Sequence, residues 1–585
     1  MHTMQVMTKS RMKRISVLVV LSALVAAAVG CGDEVERDPK LNIQVIGWGS
    51  GQDGTVGFQP RLPVFDTAAQ VRVNLTHPGT GQLVNTAAFN PSEQRAVIPK
   101  LRFGNDLRME FEVVDTQGVP VATGATPLFD FDGDELVKGY RIQVDEVDTF
   151  SPVGSVVNKA GRSELTQSRM DYRAVRDFEA DRWLGRVGHV TVPYDGGNKA
   201  LIVGGAHVDP VRRPAGLPQI KIVQDDLMEF DPATGYFTDL SYDPQTRGVR
   251  ANSADRLFEG RAFHTVTPIG NDKFLVIGGF TSGDPNARAL NSIELIDLNA
   301  APGTRVQQLV DASGSPLTLE APRAFHTATY RPSDNTVIVA GGIGRGGEND
   351  VLDSVELIDL DESSVQTVGQ MGEGRAEHEA VLMGDGETVW LLGGRGPSGA
   401  LSSTETVSGD AGGVSISTAA SMNTARYAFA ALRITPNNGS LVMAIGGYTD
   451  LDGNVTDTFE FSSLGRDEFL AEGNWRLEEG RGNPQAIELS NSNNIVVLGG
   501  RDGSQARLTS SEVLEFGDLG DPKPYTARTT EGTSHNERAD FTATPLSNGK
   551  ILLIGGVGRF DGTTTTLDSA EYFTPLDPRG TAPAN

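Results

Sequence analysis

The sequence contains a single cysteine and far fewer basic than acidic residues, and both shortages exclude classes of function. One cysteine in 585 residues allows no intramolecular disulfide, no thiolate zinc cage and no iron–sulfur cluster. Lys and Arg number 50 against 76 Asp and Glu, which gives a formal net charge of −26. Because nucleic acids are bound through basic surfaces, this balance argues against a nucleic-acid partner.

The sequence also lacks a G-x-S-x-G nucleophile elbow and a phosphate-binding P-loop. Glycine, by contrast, is abundant, with 69 residues alongside 30 prolines. This composition disfavours a helical bundle or a coiled coil and favours short strands joined by many turns. The length is sufficient for two or more domains.

Residues 1–30 are predicted to be a lipoprotein signal peptide. Four basic residues between positions 9 and 14 precede an uninterrupted run of apolar and small residues at 15–30. This run is shorter than the roughly 20 residues of a bilayer-spanning helix and is typical of a signal-peptide core. It ends in Ala28-Val29-Gly30-Cys31, which resembles a bacterial lipobox, so Cys31 is the predicted lipidation site.

Lipidation at Cys31 would hold the mature protein on a membrane without a transmembrane helix. Residues 31–40 are acidic and are interpreted as a solvated tether. We therefore expect an extracytoplasmic protein of the bacterial cell envelope, at the outer membrane or cell surface rather than the inner membrane. The alternative is a signal anchor whose apolar run happens to end at a cysteine.

Residues 41–148 are predicted to form a small β domain of the immunoglobulin or fibronectin type. Leu107, Met109, Phe111 and Val113 alternate with polar residues, as in a half-buried strand. Six or seven such strands in about 105 residues suggest a β-sandwich. Residues 149–164 are assigned to a linker, and 163–182 are compatible with either a helix or a strand.

The remainder of the chain repeats seven times. Each repeat has a glycine pair after an apolar run, an arginine about 17–20 residues before the pair, and a glutamate after it. The glycine pairs are Gly204-Gly205, Gly278-Gly279, Gly341-Gly342, Gly393-Gly394, Gly446-Gly447, Gly499-Gly500 and Gly555-Gly556. The arginines are Arg186, Arg261, Arg323, Arg375, Arg426, Arg481 and Arg538, and the glutamates are Glu229, Glu294, Glu356, Glu405, Glu460, Glu512 and Glu571.

This pattern resembles the kelch repeat, in the bacterial R-x-x-H … G-G … S-x-E form. The resemblance implies an all-β fold: a seven-bladed kelch-type β-propeller over residues 165–577, after the β-sandwich and before a tail at 578–585. Histidine occupies the R-x-x-H position in four units, whereas Phe429, Pro484 and Phe541 replace it in the last three. In the first unit Leu227 stands where serine is expected, and Trp475 is the best candidate for the family's tryptophan.

The invariance of arginine and glutamate at fourteen positions predicts buried ion pairs within or between blades, since an ammonium cannot replace a planar guanidinium. The competing hypothesis is that the arginines face a central ligand. Too few residues follow Glu571 for a complete last unit, so we expect the ring to close with a strand from just before Arg186.

Several motifs were weighed for chemistry and favour a structural interpretation. His189, His264, His326 and His378 occupy one position in successive repeats, which distributes them among blades and argues against a shared metal site. His378-Glu379 lacks the second histidine of a zincin, and the glycine-rich segment 342–347 leads into a strand rather than a helix. Two acidic loops are weak calcium candidates, through Asp130, Asp132 and Asp134 and through Asp450 and Asp452.

Some kelch-type propellers are copper radical oxidases with a tyrosine–cysteine crosslink, and Cys31, committed to lipid, cannot supply it. The boxes of sialidase-type propellers are absent as well. We therefore expect no resident cofactor, apart from the weak calcium candidates.

The leading interpretation is a non-enzymatic binding protein whose blade loops contact a protein or a glycan, with the loops at 207–219 and 344–353 as first candidates. The alternative is a carbohydrate-active enzyme, a sugar epimerase or hydrolase, with carboxylates near the propeller axis. Deep central carboxylates of raised pKa would favour the enzyme, and a shallow, uncharged funnel would favour binding.

Overall fold

The computed structural model describes residues 17–20, 40–153 and 185–575, with internal gaps. The gaps are 51–55, 60–67, 78–81, 91–103, 127, 132–136, 209–219, 234, 241, 244–247, 250–254, 282–288, 411, 436–439, 464–467, 472–474, 490–493, 518–524, 531, 535, 561–562 and 568. The protein is all-β, and the described residues contain one short 3₁₀ helix, Asp195–Gly197. Two compact units meet between Val147 and Asp148. Within the described part, no helix is long and apolar enough to span a membrane.

The first unit contains two sheets. Its strands are β1 (Val17–Val20), β2 (Lys40–Ser50), β3 (Val56–Gln59), β4 (Gln70–His77), β5 (Gln82–Phe89), β6 (Gly104–Val114), β7 (Pro120–Ala125), β8 (Phe129–Phe131), β9 (Val137–Gln143) and β10 (Asp145–Glu146). One sheet has the order β1-β2-β3 with β9 added parallel to β2, and β1 comes from the segment interpreted above as a signal peptide. The other sheet has the order β10-β7-β6-β4-β5, with β8 paired to β6.

Strand β6 differs from the half-buried strand expected from its alternation. Its polar residues Arg108, Glu110 and Glu112 are buried together with the apolar ones. Arg108 and Glu110 form an ion pair at 2.6 Å, and Asn74 of β4 donates to Glu112. Both faces of this central strand are therefore buried, and the polar residues tolerate burial on their face because they are paired.

The second unit is built from four-stranded antiparallel sheets of the kind that form propeller blades. Its strands up to residue 370 are β11 (Thr149–Pro152), β12 (Val190–Tyr194), β13 (Lys199–Val203), β14 (Ala206–Val208), β15 (Ile220–Val223), β16 (Leu227–Asp231), β17 (Tyr236–Asp239), β18 (Tyr242–Asp243), β19 (Gly248–Val249), β20 (Thr265–Pro268), β21 (Lys273–Ile277), β22 (Ile293–Asp297), β23 (Val306–Gln308), β24 (Thr327–Arg331), β25 (Thr336–Ala340), β26 (Ser354–Asp359) and β27 (Ser364–Gln370).

The remaining strands are β28 (Glu379–Leu382), β29 (Val389–Leu392), β30 (Arg395–Gly396), β31 (Gly399–Ala400), β32 (Thr404–Ser408), β33 (Ser415–Ala419), β34 (Ala430–Ile434), β35 (Leu441–Ile445), β36 (Phe459–Ser462), β37 (Phe469–Leu470), β38 (Gln485–Glu488), β39 (Ile495–Leu498), β40 (Ser511–Phe516), β41 (Tyr525–Thr529), β42 (Thr542–Pro545), β43 (Ile551–Ile554), β44 (Val557–Phe560), β45 (Thr563–Thr566) and β46 (Ala570–Thr574).

We number the repeats as units 1 to 7 by their arginines, Arg186 to Arg538. In the described residues their sheets are β12-β13-β16-β17, β20-β21-β22-β23, β24-β25-β26-β27, β28-β29-β32-β33, β34-β35-β36-β37, β38-β39-β40-β41 and β42-β43-β46-β11. The first strand of each unit contacts the first strand of the next, and β42 of the last unit contacts β12 of the first. The first strands therefore contact one another in a closed cycle.

The sheet of unit 7 takes its outer strand, β11, from the beginning of the second compact unit of the chain. Three strands of this sheet follow Arg538, and β11 pairs antiparallel with β46, placing Ser151 opposite Tyr572. The assignment of 149–164 to a linker is therefore wrong for Thr149–Pro152, and the expected closing strand lies well before Arg186 rather than next to it. The segment 163–182, left open between helix and strand, lies outside the described residues.

The core lies between neighbouring sheets, because each second strand is apolar on both faces. Thr336–Ala340 of β25 is buried at all five positions. Alternate residues of this strand belong to two different apolar clusters, with Val337 and Val339 packed towards unit 2 and Ile338 and Ala340 towards unit 4. This explains why the sequence shows continuous rather than alternating apolar runs.

The glycine pair that ends each second strand is required by close approach to the next unit. Gly341 and Gly342 have φ of +61° and +102°, which residues with side chains rarely adopt. A Cβ on Gly341 would lie 2.2 Å from the carbonyl oxygen of Arg375 in unit 4. The amide of Gly342 donates to that same carbonyl at 2.8 Å, so the glycine pair joins adjacent units.

Candidate functional site

The seven repeat arginines share one set of buried contacts. Each guanidinium donates through Nη1 to the carbonyl of the first glycine of its own pair, at 2.6–3.0 Å. All seven side chains are at most 1% exposed. The hypothesis that these arginines face a central ligand is therefore wrong, because no face of the guanidinium reaches solvent.

Six of the seven arginines pair with the expected glutamate of their own unit. Arg375–Glu405, Arg426–Glu460, Arg481–Glu512 and Arg538–Glu571 lie at 2.6–2.8 Å, and Arg261–Glu294 and Arg323–Glu356 are equally direct. Glu356 also accepts backbone amides from Glu320 and Ala321, which satisfies its other oxygen. The pairing prediction is confirmed for these units.

The prediction is wrong for the first unit. Arg186 pairs with Asp226 at 2.9 Å, whereas Glu229 accepts from Lys199 and Tyr194. Met228, next to Glu229, lies where the other units carry glutamate, and its sulfur is 3.4 Å from Arg186 Nη2. Because side chains alternate between faces along a strand, the one-residue offset turns Glu229 to the opposite face.

The repeat histidines join neighbouring units instead of gathering at one point. Nε2 of His189, His326 and His378 lies 2.9–3.2 Å from a threonine hydroxyl of the preceding unit, Thr542, Thr265 and Thr327 respectively. Burial, assisted by Arg186, lowers the pKa of His189 to about 3. Burial likewise holds the pKa values of the other three histidines well below the usual range, so all four are neutral.

A ring of residues two positions after each arginine forms the innermost turn of every unit. Its members have φ between +44° and +61°: Gly188, Phe263, Phe325, Glu377, Ala428, Asn483 and Asp540. From Phe263 to Asn483, each backbone amide donates to the carbonyl of the preceding member at 2.7–3.1 Å. Between the last two members, Asn483 Nδ2 donates to Asp540 Oδ1 at 2.6 Å. We call these seven residues the mouth ring.

The mouth ring has an apolar side and a polar side. Phe263 and Phe325 are half-buried and stack with their ring centroids 4.5 Å apart. Further along the ring, the half-buried residues Glu377, Asn483 and Asp540 carry carboxylate and amide groups. A hydrogen-bonded backbone fixes both sides, so the ring combines aromatic faces with hydrogen-bonding groups on a rigid support.

Sequence reasoning missed the mouth ring because its residue types have nothing in common. Glycine, phenylalanine, glutamate, alanine, asparagine and aspartate occupy one backbone conformation. The available signal was the constant spacing of two residues after each repeat arginine.

Glu379 lies on β28, the innermost strand of unit 4, two residues after the mouth-ring member Glu377. Burial raises the pKa of its half-buried carboxyl to about 8. A carboxyl group of this kind is neutral at moderately acid to neutral pH and can then donate a proton or a hydrogen bond.

The loops named from the sequence have the following positions. Within the glycine-rich segment 342–347, the amide of Gly346 donates to Asp350 at 2.7 Å, so this loop binds its own carboxylate. Loop 207–219 lies mostly outside the described residues. Asp450 accepts from the amides of Asp452 and Asn454, as in an ordinary acidic turn. Cys31, Asp132 and Asp134 lie outside the described residues, and the side chain of Asp130 is not described.

Comparison with known proteins leaves the family open. No family profile and no curated protein matches the sequence. Among solved structures, the chain is similar to "Structure of YjhT", with TM-score 0.39 and 12% identity over 59% of this chain and 98% of that one. It is also similar to a fungal alcohol oxidase of the AA5 family in complex with copper, with TM-score 0.45 and 14% identity over 67% and 77%. Neither likeness carries a functional conclusion.

No group of three or more metal-ligating His, Cys, Asp or Glu side chains occurs in the described part of the chain.

Proposed function

We propose that this protein is a lipid-anchored, extracytoplasmic binding protein that recognises a glycan at the mouth ring of a seven-bladed kelch-type β-propeller. The closed cycle of contacts between first strands supports the blade number. The two sheets before Val147 fit an accompanying β-sandwich. The lipobox at Cys31 supports the anchor and the envelope location.

The observation that carries the binding proposal is the two-sided mouth ring. The faces of sugar rings carry C–H groups that pack against aromatic side chains, and their hydroxyl groups need hydrogen-bond partners. Phe263 and Phe325 offer the first kind of contact, and Glu377 and Asn483 offer the second. The repeat arginines and histidines are already committed to contacts that join strands and units, which leaves recognition to the mouth ring and its loops.

A glycan array with the labelled mature protein tests this proposal. Phe325→Ala should weaken binding of any positive glycan at least tenfold, because an aromatic face is lost. Phe258→Ala is the matched control, since Phe258 is 56% exposed and outside the mouth ring. Binding of proteins but no glycans, or equal binding by both variants, would contradict the proposal.

Glu379 favours a second candidate function, a sugar epimerase or hydrolase. A neutral carboxyl on an innermost strand is suited to general acid catalysis. Incubating bound glycans with the protein and following their anomeric signals by NMR would detect turnover. Glu379→Gln should then abolish turnover while glycan binding persists.

A further inference from the structure

Three arginines converge beside the mouth ring where unit 6 meets unit 7. Arg501 follows the unit 6 glycine pair, and Arg507 lies opposite it in an antiparallel bridge across a tight turn. The turn is closed by Asp502, whose carboxylate accepts the amides of Ser504 and Ala506 at 2.8 and 2.9 Å. Asp502 is therefore engaged within its own turn.

The side chain of Arg507 reaches from unit 6 to unit 7. Its Nη2 donates to Thr564 Oγ1 on β45 at 2.8 Å. Thr564 is directly opposite Arg559 of β44, and opposite residues of an antiparallel pair have Cβ atoms about 5 Å apart. Arg507 therefore ends beside Arg559, whose side chain is exposed. The positive charges of Arg501 and Arg559 both act on Arg507, so we treat the three arginines as one cluster.

Two carboxylates of the described residues act on Arg507 in this cluster. Asp540 binds Arg501 Nη2 through Oδ2 at 2.8 Å and receives Asn483 Nδ2 on Oδ1 at 2.6 Å, so both of its oxygens are engaged. Glu537 is the other carboxylate that acts on Arg507. Among the described residues, the groups that act on Arg507 are therefore the guanidinium groups of Arg501 and Arg559 and the carboxylates of Glu537 and Asp540. Together with Arg507 itself, the arginines outnumber these carboxylates by one.

The arginines also retain unused donors. Nε of Arg501 and Nε of Arg507 are buried with no hydrogen-bond partner in the described residues, and Arg501 as a whole is 1% exposed. Burial and the positive charges of Arg501 and Arg559 lower the pKa of Arg507. An anion bound beside Arg507 and Arg559 would relieve this repulsion.

We propose that the cluster of Arg501, Arg507 and Arg559 is an anion-binding site that takes a carboxylate group of the ligand. A guanidinium presents paired, coplanar donors that match the two oxygens of a carboxylate. Asp540 contacts Arg501 and is also a member of the mouth ring, so the cluster adjoins the mouth ring. A ligand in the mouth ring can therefore extend its carboxylate towards the arginines. The inference rests on the proposed function, which supplies the sugar part of the ligand. With a carboxylate bound by the arginines, the ligand is an acidic saccharide.

Isothermal titration of the mature protein with D-galacturonate, D-galactose and inorganic phosphate at fixed ionic strength tests the site. We expect galacturonate to bind at least tenfold more tightly than galactose. Arg507→Gln and Arg559→Gln should each lose at least tenfold in galacturonate affinity. Arg476→Gln, which removes an exposed arginine paired with Asp457, is the matched control and should bind as the parent does. Melting temperatures of all variants verify folding.

Equal binding of galacturonate and galactose, or unchanged affinity in both site variants, would overturn the anion site. Binding of phosphate without galacturonate would overturn the assignment to a carboxylate. If galacturonate binds and Arg507→Gln abolishes that binding, the anion site is supported even when the glycan array shows no binding. Failure of the anion site and failure of the proposed function therefore give different results.

Discussion

Arg186 donates to Asp226 at 2.9 Å, although Glu229 occupies the position in the sequence that resembles the pairing glutamate of the other units. The carboxylate that neutralises the buried guanidinium of Arg186 therefore belongs to Asp226 and not to Glu229. The first unit retains the contact because Asp226, which directly precedes β16, replaces the glutamate of the other units.

This exchange predicts unequal effects for two neighbouring carboxylates. Asp226→Asn should destabilise the protein by about 3 kcal/mol or more, because Arg186 is left without a counter-charge in a dry environment. Glu229→Gln should cost about 1 kcal/mol or less, since Glu229 is partly exposed and pairs with a half-exposed lysine. Urea unfolding of both variants measures the difference, and equal costs would contradict the assignment of Asp226.

The ion pairs of the other units predict a similar contrast. Arg323→Ala removes one partner of a pair whose side chains are both 0% exposed, and should cost about 3–5 kcal/mol. Glu348→Gln is the control, because Glu348 is 41% exposed and lies 3.5 Å from Arg395. Its free energy of unfolding should change by less than about 1 kcal/mol. A small effect of Arg323→Ala would mean that the pair is replaceable by water.

Much of the second unit could be predicted from the sequence because repetition fixes structure at every copy. The glycine pairs, arginines and glutamates recur since each forms the same contact in its own unit, as Gly341, Arg323 and Glu356 do. The exceptions could not be predicted in the same way. Asp226 breaks the residue type while keeping the contact, and β11 has no repeat marker because it lies outside the repeated segments.

The candidate site was not predictable for a different physical reason. From Gly188 to Asn483 the mouth ring is held by backbone hydrogen bonds, which any residue type can form, so these positions have no common side chain. The cluster of Arg501, Arg507 and Arg559 forms across two units, through a cross-strand pair that only the folded register reveals.

The pairing of β46 with β11 predicts that the second compact unit of the chain, residues 148–584, cannot fold without β46. Ending the chain after Asp568 removes β46, which pairs with both β43 and β11. The sheet of unit 7 would lose its connection to β11, and we expect the cooperative melting transition to disappear. Ending the chain after Asp577 is the matched control and should melt as the full chain does. A sharp transition in the shorter protein would show that closure does not depend on β46.

Lipidation predicts that Cys31→Ala releases the protein from membranes. The substitution removes the sole thiol of the chain, so labelling with a radioactive fatty acid should stop and the protein should move to the soluble fraction. Cys31→Ser is a second variant with the same expectation, because a hydroxyl does not form the thioether. Unchanged labelling of either variant would remove the lipoprotein assignment.

The buried histidines predict that stability falls in mild acid. Their folded pKa values are depressed, to about 3 for His189, while the unfolded value is about 6.5. Between these values the unfolded chain binds more protons than the folded one, so the free energy of unfolding decreases as pH falls below about 6.5.

His264 is the most informative position, because both of its ring nitrogens are buried without a hydrogen-bond partner among the described residues. Units 5 and 7 carry Phe429 and Phe541 in the same position, which shows that the site accepts a phenyl ring. His264→Phe should therefore raise the free energy of unfolding at pH 5 by about 2 kcal/mol relative to its effect at pH 8, since each pH unit below 6.5 is worth about 1.4 kcal/mol for one group. Urea unfolding at the two pH values measures this difference, and a variant whose pH dependence equals that of the parent would show that His264 is not the neutral, buried group that its surroundings require.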